Sequence, residues 1–238
     1  MLQPDPLHQR PDFDGILYQL FRTVEALSEV RDIGYGMPAR AKDLRRIPNL
    51  EWVPAIMREW AWQVNSLQVA WRLKAEANTP TNIGGTIDIQ PISGPRKTGI
   101  YGDWEGSIYF DRPHEPKANL HLRTFKIVDI CAEEDRVGLF HDERSSPQLY
   151  HYIIANGTPQ PLGVDILGYC QLLTHTLGFW YWLDIVRDLA RPYSPRPYAP
   201  ATLQNQQTVA AMEQYLPNFR LDAFVACYDQ VRLPTPAA

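Results

Sequence analysis

The chain has 238 residues, 45% hydrophobic and 21% charged, with a net charge of −4, which is enough length to bury a core without disulfide or metal staples. The acidic balance argues against a nucleic-acid partner, because neutralising phosphates needs clustered Lys and Arg; the one basic stretch, Arg40, Lys42, Arg45 and Arg46 around Asp43, reads as a solvated helix end. No uninterrupted apolar run of about 18 residues exists, so no membrane span is expected, and the absence of a basic-then-apolar leader points to the cytoplasm.

Residues 1–12, with three prolines, read as an extended arm. Ile16, Leu17, Leu20, Phe21, Val24, Leu27 and Val30 then recur at helical spacing, which predicts a helix capped by Asp12 or Asp14 and stopped by Gly34 and Gly36. A second helix is expected from Asn49, with Pro54 in its first turn and Ile56, Met57, Trp60 and Val64 on one face. Trp60 and Trp62 point about 200° apart on such a helix, so the same core cannot hold both. Residues 67–73 alternate apolar and polar and predict a half-buried strand, as do residues 86–92 after Gly84-Gly85.

Gly94, Pro95, Gly99, Gly102 and Gly106 mark a long loop. Short strands are expected at 107–110, 122–130, 137–141 and 149–155, with Glu133-Glu134-Asp135 as an acidic turn and Asn156-Gly157 as a second turn. Asp165 is placed to cap one long, largely apolar helix over 166–190, kinked or closely contacted at Gly178. Pro192, Pro195, Pro197 and Pro200 predict a stiff linker. The apolar residues Met212, Tyr215, Leu216, Phe219, Leu221, Phe224 and Val225 require the tail to dock, on its own body or on a partner. Helices, then strands, then helices predict an α+β fold with a mixed, mostly antiparallel sheet, flanking helices, and helical extensions at both termini. The expected divisions are 1–48, 49–191 and 192–238.

Cys131, Cys170 and Cys227 are odd in number, widely spaced and outside any CxxC; they read as buried small hydrophobes rather than a disulfide framework or zinc knuckle. None of the six histidines falls in an HExxH pattern. There is no GxSxG, GxGxxG or phosphate-cradling GxxxxGK[ST]. His114, His141 and Asp142 form the best metal-hydrolase alternative, but no pattern ties them together. The expectation is therefore no enzyme, no cofactor and no metal. The aromatic run Phe179-Trp180-Tyr181-Trp182 is read either as covered core or as an exposed anchor for a partner.

The run Pro54-x-Ile56-x-x-Glu59-Trp60-x-x-x-Val64-Asn65-Ser66-Leu67-x-x-x-Trp71 resembles the SUKH superfamily of toxin-immunity proteins and cell-wall-synthesis regulators. In the same order come the segment 84–91, the strand ending Phe125-Lys126-Ile127-Val128-Asp129, the run Leu149-Tyr150-His151-Tyr152, and the segments 163–169 and 178–182. The resemblance covers about residues 50–190 and departs from the family at Ser66, where glycine is usual. It implies a mixed, mostly antiparallel sheet with flanking helices and protein binding without catalysis or cofactor. The partner is then another protein, a toxin or a subunit of a larger complex. Candidate contacts are Asp103, Trp104 and Glu105 in the glycine-rich loop, and Glu133, Glu134 and Asp135 in the acidic turn, which would meet a basic target. A regulatory or assembly subunit docked through the apolar tail is the alternative.

Overall fold

The computed structural model describes residues 11–27, 29–73, 83–92, 100, 122, 124–191, 194 and 197–234. Asp12 accepts the Gly15 backbone N–H at 2.8 Å and starts helix α1 (Phe13–Leu27), whose Phe13, Leu17, Leu20 and Val24 are buried. The helix ends there, short of the predicted stop at Gly34. The chain continues as strand β1 (Glu29–Tyr35), paired antiparallel with β2 (Leu67–Arg72) from Glu29↔Arg72 to Tyr35↔Leu67. Val30 extends the helical stripe of the sequence by coincidence of spacing; pairing with the open edge of β2 outweighs that local pattern.

Beyond β2 the sheet is an antiparallel meander of β3 (Gly84–Ile89), β4 (Phe125–Ile130), β5 (Asp135–Phe140), β6 (Tyr150–Ile153) and β7 (Gln160–Pro161), each strand beside its neighbour in sequence. The fold is thus α+β, as the order of predicted elements implies. The strand expected at 107–110 lies outside the described residues. Helix α2 (Ala41–Leu44) and a short 3₁₀ turn lead to α3 (Ala55–Gln63), where Pro54 is the N-cap rather than a first-turn residue. Trp60 is fully buried and Trp62 is 51% exposed, as their angular separation requires.

The seam between β3 and β4 is the weak line of the sheet. Its one ladder pair is Ile89↔Asp129, with the Gln90 N–H donating to the Val128 carbonyl at 2.8 Å beyond it. Nearer the start of β3 the open edge is met by a bend in the helical layer. The predicted long helix over 166–190 is in fact two, α4 (Ile166–Thr176) and α5 (Trp182–Ala190), with Leu177, Gly178 and Tyr181 in the left-handed region. Thr86 N–H donates to the Gly178 carbonyl at 3.0 Å, Gly85 bridges Phe179, and the buried Trp71 Nε1–H donates to the Leu177 carbonyl at 2.7 Å. A continuous helix would leave the β3 edge and the Trp71 indole unpaired in the core, so the break wins.

The corner approaches β3 closely because Gly85 has no side chain. A Cβ there would stand 2.6 Å from Trp71 Nε1 and 2.7 Å from the carbonyl oxygens of Leu177 and Gly178. Replacing Gly85 by Ala is expected to lower stability by about 2 kcal/mol, as overpacking against backbone does; urea unfolding would read it, and an unchanged midpoint would refute it.

Asp165 caps α4 as expected, accepting the Gly168 N–H at 2.9 Å. The tail forms α6 (Leu203–Tyr215) and α7 (Leu221–Val231) and docks on its own body. Met212, Phe224 and Tyr228 are fully buried in the main core, the Tyr228 hydroxyl donates to the Leu162 carbonyl at 3.1 Å, and Asn205 Nδ2 donates to Asp188 Oδ2 at 2.6 Å. A smaller cluster of Leu122, Phe125, Ile127 and Tyr152 forms apart from the main core.

Candidate functional site

The acidic turn leaves β4 and enters β5 beside the corner between α4 and α5. Arg136, only 8% exposed, donates through its guanidinium to the carbonyls of Ala132, Glu133 and Asp135. The turn's backbone is therefore held on a buried cation, while Glu133 and Glu134 project into solvent. Three carbonyl bonds to one planar donor set fix the turn in a single shape.

Facing it are Phe179, Trp180 and Tyr181 of the corner and the first residues of α5. Together the two sides enclose a groove of about 620 Å³ lined by the turn, by the aromatic corner, and by His151, Asp184 and Arg187. Phe179 and Trp182 are buried, whereas Tyr181 is 57% exposed at a φ of 64°. A bulky aromatic rarely adopts that backbone conformation, and such strain concentrates at functional positions.

His151 enters from β6, where it pairs with Val137 of β5 and shares that residue's inward face. Its side chain is 2% exposed, and Nε2 stands 3.5 Å from Asp135 Oδ1. That is ion-pair range but not hydrogen-bond geometry, and neither ring nitrogen has a hydrogen-bond partner. Asp184 pairs with Arg187 at 2.8 Å. Burial pushes the Asp184 carboxyl above the ordinary carboxylate range, against the opposing pull of Arg187 and His151. The groove continues into a second part of about 530 Å³ that shares His151, Ile153 and Arg187 and adds Arg191.

Beneath the corner lies a buried polar chain. The Tyr169 ring packs against Trp182 with centroids 5.3 Å apart, and its hydroxyl donates to Asp129 Oδ2 at 2.7 Å. Asp129 Oδ1 accepts the Asp88 N–H at 2.7 Å, so this carboxylate stitches β3 to β4 where the ladder is missing. Burial raises the Asp129 carboxyl to about 6. Cys131 Sγ lies 3.6 Å from the Tyr169 hydroxyl, and Cys131 also lines the groove. Burial pushes its thiol well above its ordinary value, which removes the thiolate that nucleophilic chemistry needs.

The structure thus brings Glu133, Glu134 and Asp135 together at one groove. Asp103, Trp104 and Glu105 lie outside the described residues, as does His114. His141 sits at the far end of β5 from Asp135, with Nε2 3.1 Å from the Pro48 carbonyl oxygen and its ring 5.5 Å from that of Trp52. Asp142 bonds the Arg144 backbone N–H at 3.0 Å. Among the described residues no group of three or more His, Cys, Asp or Glu side chains is placed to hold a metal, and no helix is long and apolar enough to cross a membrane. Tyr181 stands in the aromatic run that the sequence offers as covered core or exposed anchor and His151 in the run 149–152, whereas Asp184 and Arg187 carry no motif in the sequence. The available signal was a polar residue at an inward position of the strand Tyr150-His151-Tyr152. No family model, no curated protein and no solved structure matches the chain.

Proposed function

We propose that the chain is a non-enzymatic protein-binding protein, of the immunity or adaptor kind that the SUKH resemblance implies. Its contact face would be the groove between the acidic turn and the aromatic corner. The observation that carries this reading is the pairing of an exposed, left-handed Tyr181 with a turn of three carboxylates whose backbone is fixed by Arg136. Aromatic side chains with few rotatable bonds, and a loop already in its bound shape, lower the entropy lost on association. The acidic rim suits a basic partner and speeds encounter with it. The α+β class with an antiparallel sheet also agrees with what the resemblance implies. The alternative of an assembly subunit docked through its tail is less favoured, because α6 and α7 bury their apolar residues on this chain's own core.

The test is affinity capture from the native host with the wild-type chain and with Glu133→Lys/Glu134→Lys. Proteins retained by the wild type at low salt should be released at moderate salt and bound at least tenfold more weakly by the variant. Retention of the same proteins by both, at either salt, removes the groove as the contact face.

A further inference from the structure

We infer that the turn side of this groove is a pocket for one arginine side chain, presented by the protein partner; this rests on the binding reading above. Four carboxylates, Glu133, Glu134, Asp135 and Asp184, line that part against the single guanidinium of Arg187, and Arg187 is already held by Asp184 at 2.8 Å. The continuation of the groove has the opposite character: Arg187 and Arg191 line it with no carboxylate. Arg191 is paired with Asp188 at 3.2 Å, so a cation entering the groove finds its free carboxylates at the turn.

A second observation is the histidine that stands 3.5 Å from Asp135 outside hydrogen-bond geometry. His151 is buried with both ring nitrogens lacking a hydrogen-bond partner, and it lines the groove. A buried, unsatisfied polar atom is unfavourable unless something supplies its partner. An unprotonated imidazole nitrogen is an acceptor, and a guanidinium offers five N–H donors in one plane. The same flat cation accepts bidentate pairing with a carboxylate and stacks on aromatic rings, which Asp135 and the Trp180–Tyr181 corner provide. An ammonium lacks the planar fork, so arginine fits these three demands together and lysine does not.

The experiment is an NMR titration of the full chain, following the His151 ring and the Trp180 indole N–H. The probes are Nα-acetyl-arginine amide and its citrulline counterpart, which has the same shape without the charge. Saturable shifts are expected with the arginine probe, with a dissociation constant on the order of millimolar for a single side chain and at least tenfold weaker binding of citrulline. Glu134→Gln, on an exposed turn residue, and Tyr181→Asn, which keeps a residue tolerant of left-handed backbone, should each weaken the arginine probe at least threefold, at a melting temperature no lower than that of the wild type. Absence of saturable shifts, equal binding of citrulline, or unchanged affinity in both variants overturns the proposal. If the probe fails while charge reversal still releases captured proteins, the pocket falls and the binding reading stands. If the probe binds but charge reversal releases nothing, the groove takes arginine but the contact face lies elsewhere, and the claim that the partner presents it falls.

Discussion

Removal of residues 203–238 should leave a chain that no longer unfolds cooperatively. Val209, Met212, Leu216, Phe219, Phe224 and Tyr228 of this segment belong to the same buried cluster as α4 and α5. Full burial of such side chains contributes roughly 1.5–3 kcal/mol each, together on the order of 10 kcal/mol, which is comparable with the whole stability of a domain. The cut would also uncover Gly168, whose bare backbone lets α7 approach until Val231 lies 3.1 Å from where a Cβ would be, and would take from the Asp188 carboxylate the Asn205 amide donor, leaving it Arg191 and Tyr198. Thermal melting followed by circular dichroism reads the result. A truncated chain that melts sharply within a few degrees of the full chain would show the tail to be an appendage, and would restore the assembly-subunit reading.

Asp129 is the second position where a single change should be severe. Replacement by Ala removes the acceptor of two donors, the half-buried Asp88 N–H and the buried Tyr169 hydroxyl; at 1–3 kcal/mol for each orphaned group, less for the half-buried one, the loss is about 3 kcal/mol. Replacement by Asn removes the titration, and the one acceptor it turns into a donor adds a loss that does not depend on pH. Burial lifts the carboxyl from 3.8 to about 6 in the folded chain, so the folded state takes up this proton before the unfolded state does. The stability contributed by Asp129 is therefore complete below pH 3.8 and is lost as the pH rises through 6, a change of about 3 kcal/mol at 1.36 kcal/mol per unit. Asn does not titrate. The stability of wild type minus that of Asp129→Asn, from urea melts between about pH 4 and pH 7, should fall by most of that amount, about 2 kcal/mol. A difference that stays flat across the range would show that the carboxyl is not desolvated as described.

What could be read from the sequence depended on whether local pattern and tertiary demand agreed. They agreed at β2, where Leu67, Val69 and Trp71 alternate with Gln68, Ala70 and Arg72 and the odd positions are buried. They agreed at the Asp165 cap and in the tail, whose apolar residues required a surface to cover them. They disagreed at residues 177–181, where five residues that look helical are bent because the β3 edge and the Trp71 indole need backbone partners from outside the sheet. They disagreed again at Val30, where the next strand decides. The acidic turn was legible as a turn because Glu133, Glu134 and Asp135 separate two apolar runs. Its meeting with Tyr181 and His151 was not, because that proximity follows from the bend and from the register of β5 with β6, and neither is encoded in any short motif.

The seam between β3 and β4 makes the sheet two stitched panels rather than one continuous ladder. The stitches are a carboxylate, a helix corner and two short backbone contacts, and the corner is also one wall of the groove. A partner held on Tyr181 would steady the corner to which the Thr86 amide is bonded. Slower hydrogen exchange at Thr86 and Asp88, far from the acidic rim in sequence, is the signature by which occupancy of the surface would register in the interior.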